Sequence, residues 1–403
     1  MRFFKTFLLL IIIYVGLLTL VFTIPNKYLS NNQQASYTIL GNEGNYPSLS
    51  KSDWQGTRLD NFTDRLMIDK TKKKETNSLT AAISINGYPR YWHGYQIVLR
   101  PLLVFTSYGG IRQIYGFILM FLIGINFFFL LKKTDIFFSL SFFLCFYFIR
   151  FQTMFVSMQF SNVFIIMLIF NIYILTRNVS DFQNKKYLLA FFMVGSLTNF
   201  VDLLTAPLVT LGVPLITLLY LYLKKISSNE KISLQYLKSI FFICFSWGIG
   251  YGGTWIFKWI IASFLLKKNI IFDAFNQAVF RTEGNQQYPL DRSDMLKRNI
   301  SLILNHFNGV IFVLLMLLVV VLVIRKRDVV ILKLNKNSFY LLLIMSFPYI
   351  WYLAMANHSQ IHYYFTYRAQ LITVLSFLSF LSFILSEISK GSNSLIVCEE
   401  KLL

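Results

Sequence analysis

The stretch Leu59-Asp60-Asn61-Phe62-Thr63-Asp64-Arg65-Leu66-Met67 places two carboxylates four residues apart. On a helix they share one face, so one can accept a proton while the other holds a partner or a metal ion. The competing reading is a solvated amphipathic helix on which Asp64 is a surface charge. Asp53 lies just upstream as a third acid.

A second stretch, Asn86-Gly87-Tyr88-Pro89-Arg90-Tyr91-Trp92-His93-Gly94-Tyr95, runs into a half-length apolar segment that contains Arg100. Tyr91, Trp92 and Tyr95 suit headgroup depth, which predicts a helix lying in the membrane interface. Arg90, Tyr91, Trp92 and His93 are candidate substrate contacts. Arg100 reads either as a side chain snorkelling to the headgroups or as a ligand for an anionic group. Further cations, Arg112, Arg150, Lys258, Lys267, Lys268, Arg281 and Arg368, fall on the same expected surface. Guanidinium forks match phosphate oxygens in pairs, so a phosphate or pyrophosphate headgroup is the simplest anion to need them. Contact with anionic lipid headgroups is the alternative.

Of the four histidines, His93, His306, His358 and His362, only His358 and His362 have metal-ligand spacing, at i and i+4. No HExxH glutamate accompanies them, and hydrogen-bonded loop histidines are the plainer reading. Cys145, Cys244 and Cys398 form no CxxC pair and no disulfide framework. Gly248-Ile249-Gly250-Tyr251-Gly252-Gly253 lies inside an apolar run with no strand before it, which points to close helix packing rather than a nucleotide loop.

The elements that must carry these residues are set by composition. The chain has 403 residues, of which 56% are hydrophobic, 18% aromatic and only 14% charged, where an ordinary soluble domain has roughly a quarter charged. That excludes a soluble enzyme. The mean hydropathy is +0.56. Apolar runs occur at about 7–24, 113–131, 135–150, 158–176, 187–204, 206–223, 239–262, 309–324, 339–355 and 369–386. An open strand edge in hydrocarbon would leave backbone groups unsatisfied, so all ten are expected to be helical spans of an all-α integral membrane protein. A net charge of +20 would point to nucleic acid in a soluble chain; here it sets orientation, and no nucleic acid partner is expected.

Lys132-Lys133, Lys185-Lys186, Lys224-Lys225 and Arg325-Lys326-Arg327 follow every second run and, with Arg2 and Lys5, put both termini in the cytoplasm. One polytopic domain, 1–403, is then expected, with outer segments at about 25–112, 265–308 and 356–368. Ten of the eighteen acids fall in the first two outer segments. The runs themselves hold almost no ionisable group apart from Asp202, Arg150 and Lys258 near their outer ends, which argues against an ion-coupled transporter.

One apolar anchor, a first outer loop with an acidic motif, an interfacial helix and then many spans together resemble the GT-C superfamily of integral membrane glycosyltransferases. The resemblance implies transfer of a sugar from a polyprenyl-phosphate carrier to a glycan, lipid or protein acceptor on the outer face of the cell membrane, and the Lys-, Ile-, Asn- and Phe-rich composition points to an AT-rich bacterium. It implies that an acid of the first outer loop is the general base or associates with a metal. That role falls on Asp60 or Asp64, with Asp53 in reserve. Arg100, Arg281 and Arg368 become candidate phosphate ligands, and His93 or His358 candidates to position sugar or phosphate. Asp202 and His362 complete the candidate set. Magnesium or manganese is the cofactor such an acid would bind. The sequence departs from the family pattern in lacking adjacent paired acids: three residues separate Asp60 from Asp64. A polymerase or ligase of lipid-linked glycans, and a non-enzymatic flippase or assembly protein, are the competing readings.

Overall fold

The computed structural model describes residues 2–179, 182, 184–226, 233–325 and 336–400. Lys326 and Arg327 of the fourth expected basic cluster lie outside these, as do the side chains of His306 and Cys398.

All ten apolar runs are helical. They form α1 (Arg2–Val21), α6 (Tyr108–Lys133), α7 (Ile136–Phe148), α8 (Met158–Thr176), α9 (Lys185–Val201), α10 (Val209–Leu223), α11 (Leu234–Leu266) and α14 (His306–Arg325), then the pair α15 (Phe339–Ile344) and α16 (Phe347–Ala354), and finally α19 (Leu371–Glu400). Between them lie the shorter α2 (Ser30–Glu43), α3 (Asn61–Asp69), α4 (Ser78–Ser84), α5 (Gln96–Phe105), α12 (Ile270–Glu283), α13 (Arg292–Ile303), α17 (Ala356–Ile361) and α18 (Tyr363–Thr366). Among the described residues there is no strand, only the isolated bridges Ser48–Arg58 and Gly284–Pro289.

Among the described residues six segments are long and apolar enough to cross a membrane: α1, α6, α8, α11, Lys336–Ala354 and Tyr363–Ser389. The pair Arg292–Ile303 and Asn308–Leu318, bent by 73°, makes a seventh if counted as one span. The chain is thus a multi-pass, helical membrane protein, and among the described residues six or seven segments are long and apolar enough to cross, against ten apolar runs. The physical reason is clearest at α10. It has 15 residues, about 22 Å at ~1.5 Å per residue, short of a ~30 Å hydrocarbon core. All of it except Tyr222 is buried in the bundle, so it is apolar because protein surrounds it. The 13-residue α7 is likewise too short to cross alone.

Polar side chains start the helices. Asp60, Asn77, Asp135, Asn184, Ser233, Asn269 and Asp291 each accept a hydrogen bond from a backbone N–H in the first turn, satisfying donors that a helix start leaves free. The tightest crossing joins α9 to α11. A Cβ at Gly195 would collide with the Trp247 carbonyl oxygen, and one at Gly250 with that of Phe192. The glycine-rich run in α11 is therefore a packing surface.

The segments that carry Lys132-Lys133, Lys185-Lys186 and Lys224-Lys225 lie close together at one end of the bundle. Lys224 Nζ is 2.8 Å from Asp135 Oδ2, and Lys225 Nζ donates to Asn178 Oδ1 at 2.5 Å. At the other end the three expected outer segments pack on one another, and there the candidate residues gather.

Candidate functional site

Four contacts tie the outer segments together. Arg90 Nη1 pairs with Asp273 Oδ2 at 2.8 Å. Asn357 Nδ2 donates to the Phe280 carbonyl at 2.8 Å, Arg281 Nη1 to His358 Nδ1 at 2.5 Å, and the Tyr364 hydroxyl to Asp60 Oδ2 at 3.2 Å. The first of the expected outer loops is thereby held against α12 and α18, and α12 against α17.

Asp60 is the N-cap of α3. Its Oδ1 accepts from the Thr63 N–H at 3.1 Å and its Oδ2 from the Thr63 hydroxyl at 2.9 Å. Burial pushes its carboxyl above the usual range, opposed by the bonds from Thr63 and Tyr364 and by the nearby Arg58 charge. Arg58 lies between two tyrosine rings, with its guanidinium carbon 4.4 Å from the Tyr46 centroid and 4.3 Å from that of Tyr364. Stacking on ring faces holds the cation while leaving its in-plane N–H groups to bind an anion, and Nε makes no hydrogen bond.

Arg281 is the second cation of the site, and it approaches Tyr91. Its bond to His358 requires Nδ1 of that ring to accept, so Nε2 carries the proton and donates to the Leu204 carbonyl at 2.9 Å. Burial and the Arg281 charge both hold His358 well below its ordinary value, which keeps it neutral. His362 lies 4.8 Å away, ring centre to ring centre. Burial first, then Arg281 and Arg58, lower it to about 3, and its Nδ1 is buried without a partner. Asp202 joins from the turn after α9: both its oxygens accept from the Thr205 N–H, at 3.2 and 3.0 Å, and this turn supplies the Leu204 carbonyl that receives His358. Arg90 and Tyr91 line a narrow cleft with Trp255, Trp259 and Arg281.

Asp60, Arg90, Tyr91, Asp202, Arg281, His358 and His362 therefore come together. The other candidates bind the protein itself. Arg100 donates through Nε to the Val21 carbonyl at 2.9 Å and through Nη2 to that of Ile24 at 2.5 Å, so it closes the C-terminal end of α1. Buried against that helix end, it does not snorkel to the headgroups, and its Nη1 has no partner. Arg368 donates to the Tyr364 and Gly56 carbonyls and to the Thr153 hydroxyl. Trp92 Nε1 donates to the Thr254 carbonyl at 2.8 Å, and His93 bonds to the Tyr95 hydroxyl and the Tyr88 carbonyl. Asp53 pairs with Arg150 Nε at 2.7 Å.

Asp64 points toward α8. It is fully buried, so it is not a surface charge. Its Oδ1 accepts from the Gln159 N–H at 2.9 Å. The Tyr108 and Ser157 hydroxyls flank the carboxylate without closing a hydrogen bond to Oδ2. Burial raises it to about 6.

Two expectations do not match the donor sets. Both nitrogens of His358 are engaged by Arg281 and Leu204, so it has none left for zinc. Among the described residues no three His, Cys, Asp or Glu side chains gather as metal ligands, and the neighbours of Asp60 are a cation and hydrogen-bond donors rather than a second carboxylate. Among the described residues the protein therefore offers no preformed all-protein cage for a divalent cation. Arg58, Tyr46 and Tyr364 are the functional candidates absent from the sequence reading. Position offered one signal: Arg58 stands two residues before Asp60.

No family model, curated protein or solved structure matches the chain.

Proposed function

We propose that the protein is a membrane glycosyltransferase that moves a sugar from a polyprenyl-phosphate carrier to a glycan, lipid or protein acceptor at the outer face of the cell membrane. The observation that carries this reading is the juxtaposition of a buried carboxylate, Asp60, with the Tyr-clasped Arg58. Next to them stands the Arg281–His358–His362 group. In the reaction, Asp60 Oδ2 takes the proton of the acceptor hydroxyl as that oxygen bonds to the anomeric carbon. The bond from that carbon to the phosphate oxygen breaks, and the electron pair leaves with the phosphate. Arg58 and Arg281 meet the charge that develops there, which is where electrostatic catalysis acts. Neutral His362 offers its unpartnered Nδ1 and a ring face to sugar or phosphate without adding charge, and neutral His358, with both nitrogens engaged, positions Arg281.

A polymerase or ligase of lipid-linked glycans is the second reading, favoured by the Arg281–His358 pair, which suits a pyrophosphate. The flippase reading needs a continuous polar groove. The buried polar groups of α6 and α8 instead bond to each other, Asn171 to Asn126 at 2.9 Å and Tyr115 to Asn162 at 3.1 Å. A donor comparison separates the two enzymatic readings. With polyprenyl-phosphate monosaccharides, Asp60→Asn should remove transfer by about 10²–10⁴-fold. Turnover only of pyrophosphate-linked oligosaccharide, sensitive to Arg281→Ala and indifferent to Asp60→Asn, would replace the first reading with the second.

A further inference from the structure

At the same end of the bundle, separate from the Asp60 group, lies a cavity of about 500 Å³. Its walls come from residues 50–57 of the first outer loop, the C-terminal end of α7, the turn beyond it, and the junction of α13 with α14. The volume is in the range of small-molecule sites, ~300–1,000 Å³.

The chemistry of the lining is selective. Its charged members are Asp53 and Arg150, paired at 2.7 Å, so the walls carry no net charge. A phosphate entering would meet the Asp53 carboxylate, and an ammonium group the Arg150 guanidinium. The remaining polar members are hydroxyls and carboxamides, among them Ser52, Gln152 and Asn305. Hydroxyls and amides donate and accept at once, as do the hydroxyls of a sugar. Tyr147, nearly half exposed, adds an aromatic wall, the surface on which the apolar face of a pyranose ring packs. Arg150 is 4% exposed, and its Nη2 has no hydrogen-bond partner.

Position gives the cavity a use. Asp53 and Thr57 line it, and the same short loop continues into Arg58 and Asp60. That loop is fixed: the Gly56 carbonyl accepts from the Tyr367 hydroxyl at 2.8 Å and from Arg368 Nη2 at 3.2 Å, and a Cβ at Gly56 would press on Asp53 and Arg150. One rigid segment thus joins the cavity to the carboxylate.

We propose that this cavity binds a neutral saccharide, and that it is the acceptor subsite; the second clause rests on the transferase reading, the first does not. The test is direct binding of cellobiose, maltose and chitobiose to the full chain in nanodiscs, read by saturation-transfer NMR and by titration. The variants are Tyr147→Ala/Gln152→Ala, which removes two exposed wall residues, and Ser52→Trp, which fills the cavity from its rim. The expected result is binding of at least one disaccharide by the wild type and by Asp60→Asn, weakened about tenfold or more in both wall variants. No binding of any of the three, or equal affinity in the wall variants, overturns the proposal. Binding is read without turnover, so absence of transferase activity with saccharide binding intact counts against the catalytic reading alone.

Discussion

Asp64→Asn should stabilise the protein, by an amount that depends on pH. The side chain is fully buried, and burial raises its carboxyl from 3.8 to about 6. At about 1.4 kcal/mol per pH unit, holding it ionised in the fold costs about 3 kcal/mol. Below about pH 4 the carboxyl is protonated in the folded and unfolded states alike, and no cost arises. Between about pH 4 and 6 the folded state keeps a proton that the unfolded state has released, so stability falls as pH rises. Above about pH 7 both states are ionised and the full cost is present. Asparagine keeps the acceptor oxygen for the Gln159 N–H, and its amide faces the Tyr108 and Ser157 hydroxyls. The variant should thus match wild type near pH ~4 and exceed it by about 3 kcal/mol above pH ~7, several degrees in apparent Tm. The assay is the fraction remaining monodisperse after heating in one detergent across that pH range. A stability gap that does not change with pH, or a variant less stable than wild type at neutral pH, refutes the reasoning.

Other consequences follow from the same contacts. Arg100→Leu leaves the Val21 and Ile24 carbonyls without their charged donor and should lower stability by about 2–4 kcal/mol; a normal melting profile with a raised KM for a phosphate-bearing donor would restore Arg100 as an anion ligand. Gly195→Ala drives a methyl into the Trp247 carbonyl and should sharply reduce folded protein in the membrane, measured by fluorescence gel filtration, whereas Gly248→Ala, which meets no atom within 4 Å, should be neutral. Tyr364→Phe removes the donor 3.2 Å from Asp60 Oδ2. Because that bond lowers the Asp60 pKa, its loss should move the acid limb of the pH–rate profile to higher pH; an unmoved limb would separate Tyr364 from the titrating group.

The sequence made the helices legible and the crossings less so. Apolar runs look alike whether lipid or protein surrounds them. α1 turns Leu9, Ile12 and Leu20 outward, while α10 hides nearly every residue, and hydropathy does not distinguish the two. Alternating basic clusters group residues 25–112, 265–308 and 356–368 on one side, and these segments do pack on one another. Asp60 was readable from its spacing, though as one of a pair; the division of that pair between a capped carboxylate facing Arg58 and a buried one facing α8 depends on residues nearly 100 positions away. The same holds for the arginines. Arg100 meets its carbonyl partners 76 and 79 residues back, and Arg58 acquires its setting from Tyr364, 306 residues on. Long-range partners decide whether an arginine fastens the fold or faces a ligand, and local pattern carries no trace of them.

The most direct test of the account is transfer of radiolabel from a panel of polyprenyl-phosphate sugars by the purified chain in proteoliposomes, for wild type and for Asp60→Asn at equal incorporation. The account predicts that label leaves at least one carrier for an acceptor with wild type, and that the variant is about 10²–10⁴-fold slower. Label that stays on every carrier, or that moves equally fast with Asp60→Asn, would contradict it.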